Sequence, residues 1–95
     1  DETSASRRRV GDRLFSLREG VWVDGRANPS LRTVRITAYS RAWFDLVDRV
    51  EVLRQAFALG DRVRVAGRTV LLEVDATGAE SLSAAELAVL EAEWR

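Results

Sequence analysis

Residues 41–60 read RAWFDLVDRVEVLRQAFALG, and this run limits what the rest of the chain can be. Trp43, Leu46, Val47, Val50, Leu53 and Phe57 recur at i, i+3, i+4, i+7, i+10 and i+14, one apolar stripe at the helical period. Asp45, Asp48, Arg49 and Arg54 fall mainly off it. Ser40 occupies the N-cap position, where its hydroxyl can accept an orphan N–H of the first turn. Gly60 stands where the chain must leave the helix, and a left-handed exit is predicted there. A stripe this wide needs a sheet to cover it.

The flanking segments supply that sheet. Residues 13–17 form a short strand with Phe15 and Leu17 on one face, and residues 21–23 form another, with Val21 and Val23 on one side and the Trp22 indole on the other. Gly11-Asp12 and Arg18-Glu19-Gly20 are turns, and Asn28-Pro29 breaks regular pairing in the loop that follows. Residues 32–39 alternate most cleanly, Val34, Ile36 and Ala38 against Thr33, Arg35, Thr37 and Tyr39. After the helix, Val63 and Val65 alternate with Arg62 and Arg64, Gly67-Arg68 turns, and Val70, Leu72 and Val74 return as the second arm of a hairpin. Ser83-Ala84-Ala85-Glu86 is a capping box opening a last short helix with a Leu87, Leu90, Trp94 stripe. The predicted class is α+β: a mostly antiparallel sheet of about five short strands packed on a central helix, with a short C-terminal helix. Residues 1–6 read as a disordered linker and residues 7–95 as a single small domain.

Composition narrows the chemistry. The chain has no His and no Cys, and all 15 of its basic residues are Arg. The commonest general base, thiolate nucleophile, Schiff-base amine and metal ligand are therefore missing, and no cofactor is expected. A formal net charge of +0 gives no global field for nucleic acid or anionic lipid. No apolar run approaches the roughly 20 residues of a membrane span. A chain without Met is expected to be a processed form or a segment of a longer protein.

Three constellations invite a functional reading. Asp45, Asp48 and Glu51 are spaced to share a helix face, yet nothing nearby completes an acid–base or metal site, and a solvated face is the expectation. Residues 24–28 hold oxygen ligands in a loop but lack the alternating carboxylates and closing Glu of a calcium loop. Arg35, Arg62 and Arg64, with Tyr39 and Trp22, can share an open sheet face, an arrangement single-stranded nucleic-acid binders use.

Residues 10–24, VGDRLFSLREGVWVD, resemble a segment found downstream of the von Willebrand factor A domain in bacterial proteins that pair a VIT domain with it. Thr33-Val34-Arg35-Ile36, Ser40-Arg41-Ala42-Trp43-Phe44-Asp45-Leu46 and Phe57-Ala58-Leu59-Gly60-Asp61-Arg62-Val63 continue the likeness, which covers residues 10–74. Ser16 stands where the family tends to have Tyr, and Glu51 where many members have a helix-breaking Pro, so the helix is expected to run unbroken here. The resemblance implies an extracytoplasmic bacterial protein, in the periplasm or at the cell surface, with an adhesion or assembly role.

The expected function is that of a non-enzymatic accessory module contacting a protein partner or a domain of its parent chain. A small nucleic-acid-binding domain using the Arg face is the alternative. The expected contact surface is residues 18–26, with Arg18, Val21, Trp22, Val23, Asp24 and Arg26 in contact and Trp22 as the anchor. An indole opposite the two valines needs a cover, either a second layer such as the last helix or a partner.

Overall fold

A computed structural model describes residues 6–95. Of the expected linker, residues 1–5 lie outside the described residues, while the Ser6 carbonyl accepts the Leu17 N–H at 2.8 Å. The fold is α+β. Six strands, β1 (Arg7–Val10), β2 (Arg13–Arg18), β3 (Val21–Asp24), β4 (Arg32–Thr37), β5 (Val63–Ala66) and β6 (Val70–Asp75), form one sheet in the order β1-β2-β3-β5-β6-β4. Helices α1 (Arg41–Arg49), α2 (Glu51–Phe57) and α3 (Ala84–Ala92) complete the described chain.

Three of the five strand pairings are antiparallel, as the sequence suggested for most of the sheet, but two are parallel, so the sheet is mixed, and it has one more strand than expected. The extra strand is β1, whose arginines pair with β2 from Arg7↔Ser16 to Val10↔Arg13. Both parallel contacts, β3 with β5 and β4 with β6, have one cause. The β5–β6 hairpin inserts between β3 and β4, which run opposite ways, with β5 next to β3. Had β5 run opposite to β3, every contact would have been antiparallel; the local patterns of β5 and β6 do not encode that direction.

The central helix breaks. Val50 is extended (φ −126°, ψ 112°), so α1 ends at Arg49 and α2 begins at Glu51. The expectation of an unbroken helix without Pro at position 51 is overturned. The interruption is local: the Val50 N–H still donates to the Leu46 carbonyl (2.9 Å), and the Val50 carbonyl accepts from the Arg54 N–H (3.0 Å). Val50 is β-branched, favours extended backbone, and buries its own side chain at the bend. Leu46, Leu53, Ala56 and Phe57 all reach the core despite the turn in axis.

Gly60 also departs from expectation. Its φ is not left-handed; a Cβ there would meet Trp22 Cδ1 at 3.4 Å, so the glycine serves close approach of an indole. The Ser40 cap forms as expected, its Oγ accepting from the Trp43 N–H at 3.3 Å.

Register puts Phe15, Ile36, Val63, Val65, Leu72 and Val74 on one face of the sheet, against Leu46, Leu53, Phe57, Leu87 and Leu90. The outer edge of β4 is partly closed by the chain after β6: Ala79 donates to the Arg35 carbonyl (3.1 Å) and accepts from the Thr37 N–H (2.9 Å). Gly78 allows this, since a Cβ there would sit 2.8 Å from the Ile36 carbonyl carbon. At the other edge β1 is blunted by charge.

The end of α3 is fastened to the β5–β6 turn. Trp94 Nε1 donates to the Ala66 carbonyl (3.1 Å), and the Glu93 carboxylate accepts from Thr69 N (2.7 Å) and Oγ1 (2.8 Å). Burial alone would raise the Glu93 pKa, but these hydrogen bonds outweigh it and hold the carboxyl below the ordinary glutamate value. The capping box closes the other end, Ser83 Oγ accepting from Glu86 N–H (3.1 Å) and Glu86 accepting from Ser83 N–H (2.8 Å). Ser83→Ala is expected to destabilise the domain by about 1 kcal/mol, read as a lower urea midpoint at unchanged m.

Candidate functional site: the open face of the sheet

Alternation along each strand sends its remaining side chains to the face away from the helices. Cross-strand register orders them into rows. One row runs Arg7, Ser16, Val23, Arg64, Glu73, Arg35 across all six strands. Arg9 faces out beside Leu14, and Arg18 beside Val21. Arg62 joins the face just before β5, its Nε 3.6 Å from Asp75 Oδ1. The surface therefore carries Arg7, Arg9, Arg18, Arg35, Arg62 and Arg64 against Glu73 and Asp75.

The two halves of this face differ. On β5, β6 and β4 every arginine of the face has a carboxylate partner: Glu73 lies between Arg35 (3.3 Å) and Arg64 (3.8 Å), a cross-strand ladder over a largely buried carboxylate. On β1 and β2, Arg7, Arg9 and Arg18 are exposed and none has a carboxylate partner among the described residues. Leu14, 40% exposed, lies among them, with half-buried Ser16 and Val23 alongside. A shallow depression of about 310 Å³ opens there, lined by Ser16, Arg18, Val23, Asp24, Gly25 and Ala27.

The residues singled out from the sequence separate. Arg18 and half-buried Val23 belong to the open face; Val21 lies on the same side but is itself buried at 8% exposure. Trp22 does not: it pairs with Leu17 and Val63 on the helix side. Its cover within the chain is the close approach of Gly60 and the Arg8 guanidinium, 5.7 Å from the ring centroid, rather than the last helix. Asp24 also points inward, in register with Phe15, and is 1% exposed. Its carboxylate accepts from Arg13 Nη1 (2.7 Å), Ala66 N (3.0 Å) and Arg26 N (3.0 Å). Arg13 Nη1 also donates to the Ala66 carbonyl at 2.8 Å. Arg26 reaches out of the loop to Asp12 (2.8 Å), and this hydrogen bond and charge hold Asp12 below the ordinary aspartate range.

A sequence signal for these two inward residues existed. The two-residue Glu19-Gly20 turn, both residues at positive φ, fixes Arg18 opposite Val21. That register alone places Trp22 with Leu17, and Asp24 with Phe15, toward the helices.

Arg35, Arg62 and Arg64 share the open face as proposed for nucleic-acid binding, but the aromatics do not join them. Tyr39 lies past the end of β4 in a left-handed conformation (φ 62°), 58% exposed, against Trp43 at 5.0 Å. Phe44, 52% exposed, meets the other side of Trp43, whose buried Nε1 has no hydrogen-bond partner in the described structure. Asp45 pairs loosely with Arg41 (3.9 Å) on α1, while Glu51 engages Arg54 and Gln55 on α2, beyond the break. In the 24–28 loop the Asp24 oxygens are occupied as above, and Asn28 Oδ1 accepts from Ser30 N (3.0 Å). No group of three or more His, Cys, Asp or Glu among the described residues is placed to hold a metal, and none of their helices is long and apolar enough to cross a membrane.

Compared with protein-family models, curated proteins and solved structures, the chain matches none.

Proposed function

We propose that this domain is a non-enzymatic interaction module that presents the open face of its sheet to another protein or to a neighbouring domain of its parent chain. The supporting observation is the one-sided sheet: its helices lie on one face, and the other carries arginines and aliphatic side chains with no second layer among the described residues. Arg is a preferred interface residue, and Leu14 and Val23 give the patch an apolar component. The contact surface is then Arg18 and Val23 with Arg7, Arg9 and Leu14, while buried Val21 lies beneath it and Trp22 stiffens it from behind. The resemblance of residues 10–74 to the region after the von Willebrand A domain supports an accessory place in an extracytoplasmic bacterial adhesion or assembly protein.

The alternative, single-strand nucleic-acid binding, is less supported: base stacking needs aromatics on the basic face, and Trp22 and Tyr39 lie off it. The test compares methyl-labelled spectra of the isolated domain and of the same domain in its longer parent chain. Shifts at Leu14 and Val23 with the helix-side methyls unmoved are expected. Shifts confined to Val52 or Val89, or none, would overturn the proposal.

A further inference from the structure

The geometry points to an acidic protein segment, its carboxylates interspersed with apolar side chains, as what docks on the β1–β2–β3 half of the open face. This rests on the reading of the face as a protein-contact surface and adds the partner's chemistry. Charge complementarity carries it. The protein is neutral overall, yet Arg7, Arg9 and Arg18 lie on neighbouring strands without a carboxylate partner among the described residues, whereas on the helices Arg41, Arg49 and Arg54 are paired with Asp45, Glu91 and Glu51. On the other half of the face Arg35, Arg62 and Arg64 each have Glu73 or Asp75 as a partner, so among the described residues the face's arginines without a carboxylate partner are on β1 and β2.

Spacing is informative as well. Arg7 and Arg9 are two residues apart on a strand and point the same way, a separation of roughly 7 Å. Carboxylates repeat at similar intervals at i, i+2 on a strand and at about 6 Å for i, i+4 on a helix. Guanidinium groups pair with carboxylates in bidentate fashion, which a flexible ammonium does not reproduce. Leu14 sits opposite Arg9 in the β1–β2 register, and Val23 opposite Ser16, so apolar contacts alternate with charged ones. A protein segment satisfies both kinds of contact. A phosphate backbone satisfies only the first, and its bases find no aromatic side chain on this face among the described residues.

The experiment titrates the labelled domain with three probes of equal charge: a helical Glu/Leu peptide, poly-glutamate, and single-stranded oligo-dT. Each is repeated with the triple variant R7S/R9S/R18S and with a helix-side control, R41S/R54S. All five positions are exposed, and circular dichroism checks that the fold is kept. The expected result is that the Glu/Leu peptide binds more tightly than either other probe and shifts the Leu14, Ser16 and Val23 resonances. Its affinity should fall by at least about tenfold in the triple variant and stay within about twofold in the control. Tighter binding of oligo-dT, equal losses in both variants, or unmoved open-face resonances would overturn the inference. Sedimentation showing self-association through this face would also overturn it, making a second copy the occupant. If the parent chain shifts Leu14 and Val23 while the Glu/Leu peptide does not, the acidic partner fails and the protein-contact reading stands.

Discussion

Replacing Asp24 with alanine is expected to lower the free energy of unfolding by about 3–5 kcal/mol, a large share of what a domain of this size possesses. The carboxylate is fully buried and meets Arg13, whose side chain is 13% exposed, at 2.7 Å. Removing it leaves a guanidinium in a poorly solvated place with only the Ala66 carbonyl to answer it. It also strands the Ala66 N–H, and releases the Arg26 N–H that shapes the loop toward β4. The Ala66 carbonyl is shared with Trp94, so the damage should reach the docking of α3. Equilibrium urea unfolding measures the loss. Coupling is the sharper part: Arg13→Ala added to Asp24→Ala should destabilise much less than Arg13→Ala alone, because the partner's burial penalty has gone. A loss under about 1 kcal/mol for Asp24→Ala, or additive effects of the two substitutions, would show that the network is not what joins β2, β3 and β5.

Phe57→Ala is expected to cost about 3–5 kcal/mol by emptying a core site that its neighbours cannot refill. Phe57 is 2% exposed and stacks on Trp43, with centroids 5.6 Å apart and planes 25° from parallel. It lies on α2, beyond the Val50 break, while Trp43 lies on α1, so the stacked pair ties the two helices together across the bend. The variant should therefore change Trp43 fluorescence, read in a background lacking Trp22 and Trp94, as well as lower the melting temperature. A melting temperature within a degree or two of wild type would mean the apolar stripe is not the sheet's cover.

The helical stripe, the Ser40 cap and the Ser83–Glu86 box were legible because each is a local pattern with a local cause. Strand content was legible for the same reason, down to the inward residues Phe15, Ile36, Val65 and Leu72. Strand order was not. Nothing within residues 62–75 says which way that hairpin runs against β3, and that choice alone makes the sheet mixed. The bend at Val50 escaped because the apolar period continues through it, carried by one extended residue. For the candidate site the misleading step was to consider β3 alone. Its alternation correctly sets Trp22 apart from Val21 and Val23, but only its register with β2 tells which side faces the helices. Once that is fixed, the aromatic anchor becomes a core-side residue, and the proposed contact moves to arginines that look like ordinary strand surface in the sequence.

The account depends on the sheet having a bare face, and a soluble paramagnetic relaxation agent tests that directly. In the isolated domain, the methyl groups of Leu14 should be strongly broadened, those of half-buried Val23 and of Leu71, opposite Ala66 and Thr33 on the same face, intermediate, and those of Leu46, Leu53, Leu72, Val63 and Val65 protected. Protection of Leu14 and Leu71 equal to that of Leu72 would mean that a second layer covers the face, contradicting the account.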